Sequence, residues 1–133
     1  MARRLILDTG ALIAFERGLA DRQVVADADD LAVAAVTVAE FRVGIALSAT
    51  EGRADRRRRV LAAITATATV LDYTARTAAE HARLLVHVRR AGVPRGAHDL
   101  IIAAQAAEHG RVVVTPDRRA RFADLPGVHA ITL

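Results

Sequence analysis

The sequence predicts a single-domain α/β fold, a mainly parallel sheet with helices over both faces. Three observations lead there. Short apolar runs of strand length alternate along the chain with longer stretches of helical periodicity. Glycine or proline closes several of the helical stretches, at Gly18, at Gly92 with Pro94, and at Gly110. A length of 133 residues, 53% of them hydrophobic, suffices for one sizeable core. Strands that alternate with helices pair in parallel, and the crossover helices cover the sheet.

Taken in order, "RLILD" at 4–8 reads as a buried strand, and "TGALIAFERG" as a helix ended by Gly18. A second helix is expected over about 20–29, then a strand in "LAVAA" at 31–35. In "VTVAEF", Thr37 with Glu40 three residues later spells a capping box, so a helix should start there with Val38, Phe41 and Ile45 on one face. "EGRADRRRRVLAAITA" makes the next helix, with Val60, Leu61 and Ile64 inward and arginines outward. "TVLD" at 69–72 is the third strand, and a long helix spans about 74–91. A helix at 98–109 ends at Gly110, before a fourth strand in "RVVVT" and a fifth in "VHAIT".

Composition narrows the chemistry. There is no cysteine, which removes disulfides, thiolate metal sites and thiol nucleophiles together. All 19 basic residues are arginine, and the net charge of +4 suits an anionic partner such as nucleic acid. No apolar run approaches the roughly 20 residues of a membrane span, and the N-terminus lacks the apolar core of a signal peptide, so a cytoplasmic protein is expected.

Ligands of parallel sheets bind beyond the carboxyl ends of the strands, so the residues at that edge matter most. Asp8 closes the first strand, Glu40 lies about one turn into the helix after the second, and Asp117 follows the fourth. Asp99 reaches the same edge by a different route. Its helix of about eleven residues is roughly 16 Å long, matching a five-residue strand. Because Gly110 turns the chain directly from helix to strand, the helix start is level with the strand end, which puts Asp99 beside Asp117.

Each acid has an ordinary local role, as helix cap, first-turn acid or Asp turn. Together they are costly: two carboxylates about 4 Å apart repel by roughly 4 kcal/mol at an effective dielectric near 20. A hard divalent cation such as Mg²⁺ or Mn²⁺ removes that cost and suits an all-oxygen site. Among the histidines, His98, beside Asp99, is the one kept in view.

Four pieces, "LILDTGALIA", "VTVAEFRVG", "AHDLIIAAQAAEHG" and "VVVTPDRRARF", occur in an order and spacing that cover nearly the whole chain. In them the chain resembles a PIN domain, and in particular the VapC-type ribonuclease toxins of bacterial toxin–antitoxin pairs. The resemblance implies an α/β/α sandwich and a Mg²⁺- or Mn²⁺-dependent endoribonuclease. It also implies a homodimer inhibited by a small cognate antitoxin, and products with a 5′-phosphate and a 3′-hydroxyl. Pro116 departs from the family, which more often has a polar residue before the last aspartate.

On this reading Asp8, Glu40, Asp99 and Asp117 are the catalytic and metal-holding residues, with Asp117 the least critical. Thr115 resembles the family's hydroxyl residue near the metal. Arg95, Arg118 and Arg119 are candidates for gripping the RNA backbone. The run "RADRRRR" at 53–59 is either a solvated helix face or a phosphate- or partner-binding surface. With three phenylalanines, one tyrosine and no tryptophan, extensive base stacking is excluded.

A receiver domain needs a lysine, a dehalogenase-type phosphatase needs an acid at position 10, and a P-loop needs a Gly-Lys pair; all three are missing. The alternative is a PIN-like scaffold that binds RNA or protein without cutting.

Overall fold

The computed structural model describes residues 2–17, 25–26 and 29–133. Its five strands are β1 (Arg4–Leu7), β2 (Asp30–Ala34), β3 (Thr69–Leu71), β4 (Val112–Thr115) and β5 (His129–Thr132). The helices are α1 (Thr9–Glu16), α2 (Ala35–Ala46), α3 (Glu51–Thr67), α4 (Ala75–Ala91) and α5 (Ala97–His109). Two 3-10 turns, Arg118–Ala120 and Phe122–Asp124, link β4 to β5. The helix expected over 20–29 and the stop at Gly18 lie outside the described residues, except that Val25, Ala26 and Asp29 are described and are not helical.

Every strand pairing is parallel, in the order β3-β2-β1-β4-β5. The order reverses between β1 and β4, and a crevice opens at such a point beyond the strand ends.

Successive side chains of a strand point to opposite faces, and here both faces are buried. Leu5, Leu7, Val33 and Val114 pack with Leu12, Phe41 and Leu61 of α1, α2 and α3. Val38, Ile45, Val60 and Ile64 join that side, as their helical spacing required. Ile6, Ala32, Ala34 and Val113 face the other way, against Leu84 of α4 and Leu100, Ile102 and Ala103 of α5. The result is an α/β/α sandwich. Gly92 and Gly110 end α4 and α5 in left-handed conformation, with φ of 69° and 61°, where an L side chain would be strained.

The capping box at Thr37 does not form. β2 passes into α2 without a loop, so the helix begins at Ala35 and its cap position is Ala34, which has no side chain to offer. Thr37 is thereby drawn inside the first turn, fully buried, its hydroxyl without a partner among the described residues. A capping box does form at α4, where Thr74 and Thr77 exchange side-chain and backbone hydrogen bonds.

Candidate active site

Asp8 occupies the exit of β1 on the crevice side. Its N–H still bonds to the Val114 carbonyl of β4, at 3.2 Å, so the sheet fixes its backbone. Its side chain caps α1, Oδ1 accepting from Ala11 N–H at 2.7 Å. The expected local role is therefore real, but it uses one oxygen of a carboxylate that is 5% exposed. Burial raises the Asp8 pKa to about 6, against hydrogen bonds from Thr115 and Ala11 that favour the charged form. The negative charges of Asp99 and Asp117 push it further up.

The second acid follows from the tight β2–α2 turn. Glu40 lies in the second turn of α2, and its Oε1 accepts from Thr9 Oγ1 at 3.2 Å and lies 3.0 Å from His98 Nδ1. Of the two directions open to it, back to the Thr37 N–H or forward to the crevice, it takes the one toward α1 and α5.

Asp99 stands in the first turn of α5, whose cap position is Gly96. A Cβ at residue 96 would sit 3.2 Å from Asp99 Oδ2, so glycine leaves that carboxylate room. The Asp99 pKa is raised by burial, then by the charges of Asp117 and Glu40, and lowered less by His98 and Arg95. Glu40, Gly96, Ala97, His98 and Asp99 line an open cavity of about 410 Å³.

Asp117 is exposed and caps the first 3-10 turn, accepting from Arg119 N–H at 2.8 Å, while its own N–H donates to Thr115 Oγ1 at 3.0 Å. The buried Thr115 hydroxyl therefore joins Asp8 and Asp117 across the β1–β4 boundary. Gly10 permits the same closeness: a Cβ there would meet Pro116 Cγ at 3.1 Å and Asp8 Oδ1 at 3.4 Å.

The structure brings Asp8, Glu40, Asp99, Asp117 and Thr115 to one edge, where each acid feels at least one other. Among the described residues, no three histidine or acidic side chains converge enough to enclose an ion unaided. The donor set fits a hard divalent cation: oxygen ligands, two of them with pKa raised partly by like charge.

Arg95, a half-buried residue whose charge acts on Asp99, also has a structural role. Its Nη1 donates to the carbonyls of Ala120 and Arg121, the latter at 2.7 Å, tying the loop before α5 to the 3-10 turn after Asp117. Arg118 and Arg119 are exposed beside Asp117 and remain able to meet an anion. In the 53–59 run, Arg57 donates to the Gly44 carbonyl at 2.7 Å, Arg58 pairs with Asp55 at 2.7 Å and Arg56 lies 3.7 Å from Glu16. That favours a solvated, fold-supporting helix face. A groove of about 480 Å³ between α2 and α3, lined by Arg42, Ile45, Arg58 and Leu61 among others, holds none of the acids.

Sequence reasoning missed Thr9 and Gly10 as parts of the site. Their only signal is adjacency to Asp8 in "LDTG".

The PIN domain family model matches residues 5–128. No match was found among curated proteins. Solved structures are similar over almost the whole chain. VapBC-5 of Mycobacterium tuberculosis, a member of the VapBC family of toxin–antitoxin systems, matches at 32% identity and a TM-score of 0.82, covering 98% of each chain. DNA-bound VapBC from Salmonella typhimurium matches at 25% identity and a TM-score of 0.82, covering 99% of this chain and 98% of that one. VapBC2 from Rickettsia felis, bound to a promoter DNA fragment, shares the fold at 18% identity and a TM-score of 0.84, covering 98% of each chain. With its sheet order, its edge of acids and a family match that runs from β1 through β4 to the residue before β5, the chain belongs to the PIN domain family.

Proposed function

We propose that the chain, acting as one nuclease domain over residues 1–133, is a Mg²⁺- or Mn²⁺-dependent endoribonuclease and the toxin of a toxin–antitoxin pair. The observation that carries this is the edge itself: Asp8, Glu40, Asp99 and Asp117 lie on the crevice side of the sheet, and burial, then the charge of neighbouring acids, raises the pKa of both Asp8 and Asp99. Family membership adds the nuclease class. The likeness to VapBC-5, a member of the VapBC family of toxin–antitoxin systems, supports the toxin role and a small antitoxin as partner.

Asp8, Glu40 and Asp99 would hold the cation, with Asp117 completing the site. When bound, such a cation lowers the pKa of a water and offsets charge on phosphoryl and leaving oxygens. The chain's own groups do the rest. Ala11 N–H and the Thr115 hydroxyl hold the Asp8 carboxylate in place. Thr115 also sets the backbone at Asp117. Arg118 and Arg119 supply positive charge where the RNA backbone passes, as positioning contacts that carry no sequence information. A homodimer in the cytoplasm completes the proposal; among the described residues no helix is long and apolar enough to cross a membrane.

The test is RNA cleavage with Mn²⁺, mapping new 5′-phosphate ends. Cleavage lost in Asp99→Asn and in EDTA supports the reading. Full activity of either Asp8→Asn or Asp99→Asn would overturn it. The non-cutting scaffold alternative expects no Mn²⁺ binding dependent on Asp8 and Asp99.

A further inference from the structure

Glu40 is the one acid of the edge held by side chains of two other elements. Thr9 Oγ1, from the start of α1, and His98 Nδ1, from the start of α5, both reach the same oxygen, Oε1, at 3.2 and 3.0 Å. The His98 contact is an ion-pair distance, and because a carboxylate only accepts, it attracts only when Nδ1 carries a hydrogen. Among the described residues, Oε2 takes part in neither bond and is left for another ligand.

This clamp has a geometric purpose. Glu40 sits on a long side chain in the second turn of α2, with no help from a cap at Thr37. A free glutamate there would sample many rotamers, and ordering it costs entropy each time the site assembles. Thr9 and His98 come from the residues adjacent to Asp8 and Asp99, so one oxygen of Glu40 is indexed to both other acids at once. The imidazole edge bearing Nε2 is not needed for this, and the His98 side chain is 52% exposed.

We propose that His98 is a positioning residue: its Nδ1–H, together with the Thr9 hydroxyl, fixes Oε1 of Glu40 so that Oε2 is preset toward a divalent cation. The role rests on the metal-dependent reading above. It acts through Glu40, with no contact to substrate required. Hydrogen-bond partners of metal-ligating groups typically contribute about 10- to 100-fold in affinity.

The experiment compares His98→Ala, His98→Asn and His98→Gln in the full chain. It measures Mn²⁺ affinity by calorimetry, thermal midpoint, and kcat and KM for RNA cleavage. The asparagine amide nitrogen falls near the place of Nδ1, and the glutamine nitrogen near that of Nε2. His98→Ala should bind Mn²⁺ about tenfold more weakly with its thermal midpoint unchanged. His98→Asn should recover most of the affinity and kcat, and His98→Gln should not. Wild-type Mn²⁺ affinity in His98→Ala, with binding lost in Asp99→Asn, overturns the positioning role alone. Rescue by glutamine and not asparagine, or a raised KM at unchanged Mn²⁺ affinity, also overturns it, making His98 a direct substrate contact. Failure of the wild-type chain itself to bind Mn²⁺ overturns the metal-dependent reading, and this role with it.

Discussion

The two ends of the parallel sheet treat charge in opposite ways. Where the strands begin, Arg111 is buried and its Nη1 donates to the carbonyls of Leu5 and Asp30 and to Asp30 Oδ1, at 3.0–3.1 Å. Beside it Arg3 pairs with Asp29 at 2.6 Å, which holds the Asp29 pKa down to about 2. Where the strands end, Asp8 is pushed up to about 6. One end pairs its charges within the chain, apart from the Arg111 Nε, and so serves architecture. The other buries a carboxylate and sets acids near it, the kind of perturbed cluster that marks a candidate functional site.

The strongest way to break that contrast is activity. Asp99→Asn should lower RNA cleavage by about a hundredfold or more, since a catalytic cation supplies several kcal/mol. Arg111→Met should leave the activity of the folded protein intact. Equal losses in the two would show that the two ends do not differ in purpose.

Stability should move the other way. Going from the usual 3.8 to about 6 corresponds to about 3 kcal/mol against the charged form of Asp8. The native state holds this proton more tightly than the unfolded chain, so stability falls as pH rises from about 4 through 6. Asp8→Asn keeps an oxygen to cap α1 and should stabilise the cation-free chain by up to about 3 kcal/mol at pH 7, with no gain below pH 4. Urea titrations in EDTA at both pH values check it. Arg111→Met, losing hydrogen bonds to two carbonyls and Asp30, should cost about 2 kcal/mol in the same titration.

Asp29 sharpens the comparison with a slope of opposite sign. Its lowered pKa contributes stability that is present above about pH 4 and lost as pH falls toward 2. Asp29→Asn should flatten that acid limb and leave the region above pH 6 unchanged. The smallest effect is Thr37→Val: with its buried hydroxyl unpaired, thermal melting should show a change within about 1 kcal/mol. A larger loss would mean that Thr37 supports α2 after all.

Much of this was readable along the chain. Strand runs such as "RLIL" and "RVVVT" and the glycines at 92 and 110 mark elements whose causes are local. Asp99 could be placed beside Asp117 because helix rise and strand rise are fixed quantities. One expectation failed for a non-local reason. Thr37 satisfies the capping pattern, but where β2 stops is decided by its pairing with β1 and β3, so the cap of the helix fell three residues earlier, at Ala34. The tie between Arg95 Nη1 and the 3-10 turn, 25 residues on, was likewise not legible from local pattern.

By itself, then, the sequence determined the periodicities, the breaks and the four acids, because these depend on side-chain type and on distances along a regular backbone. The tertiary structure alone decided which oxygen of Glu40 is clamped, that Thr9 and His98 clamp it, and that Thr115 joins Asp8 to Asp117. Those contacts join α1, α2, α5 and β4, elements far apart in the chain. Their geometry is set by the order of strands in the sheet, which no local pattern encodes.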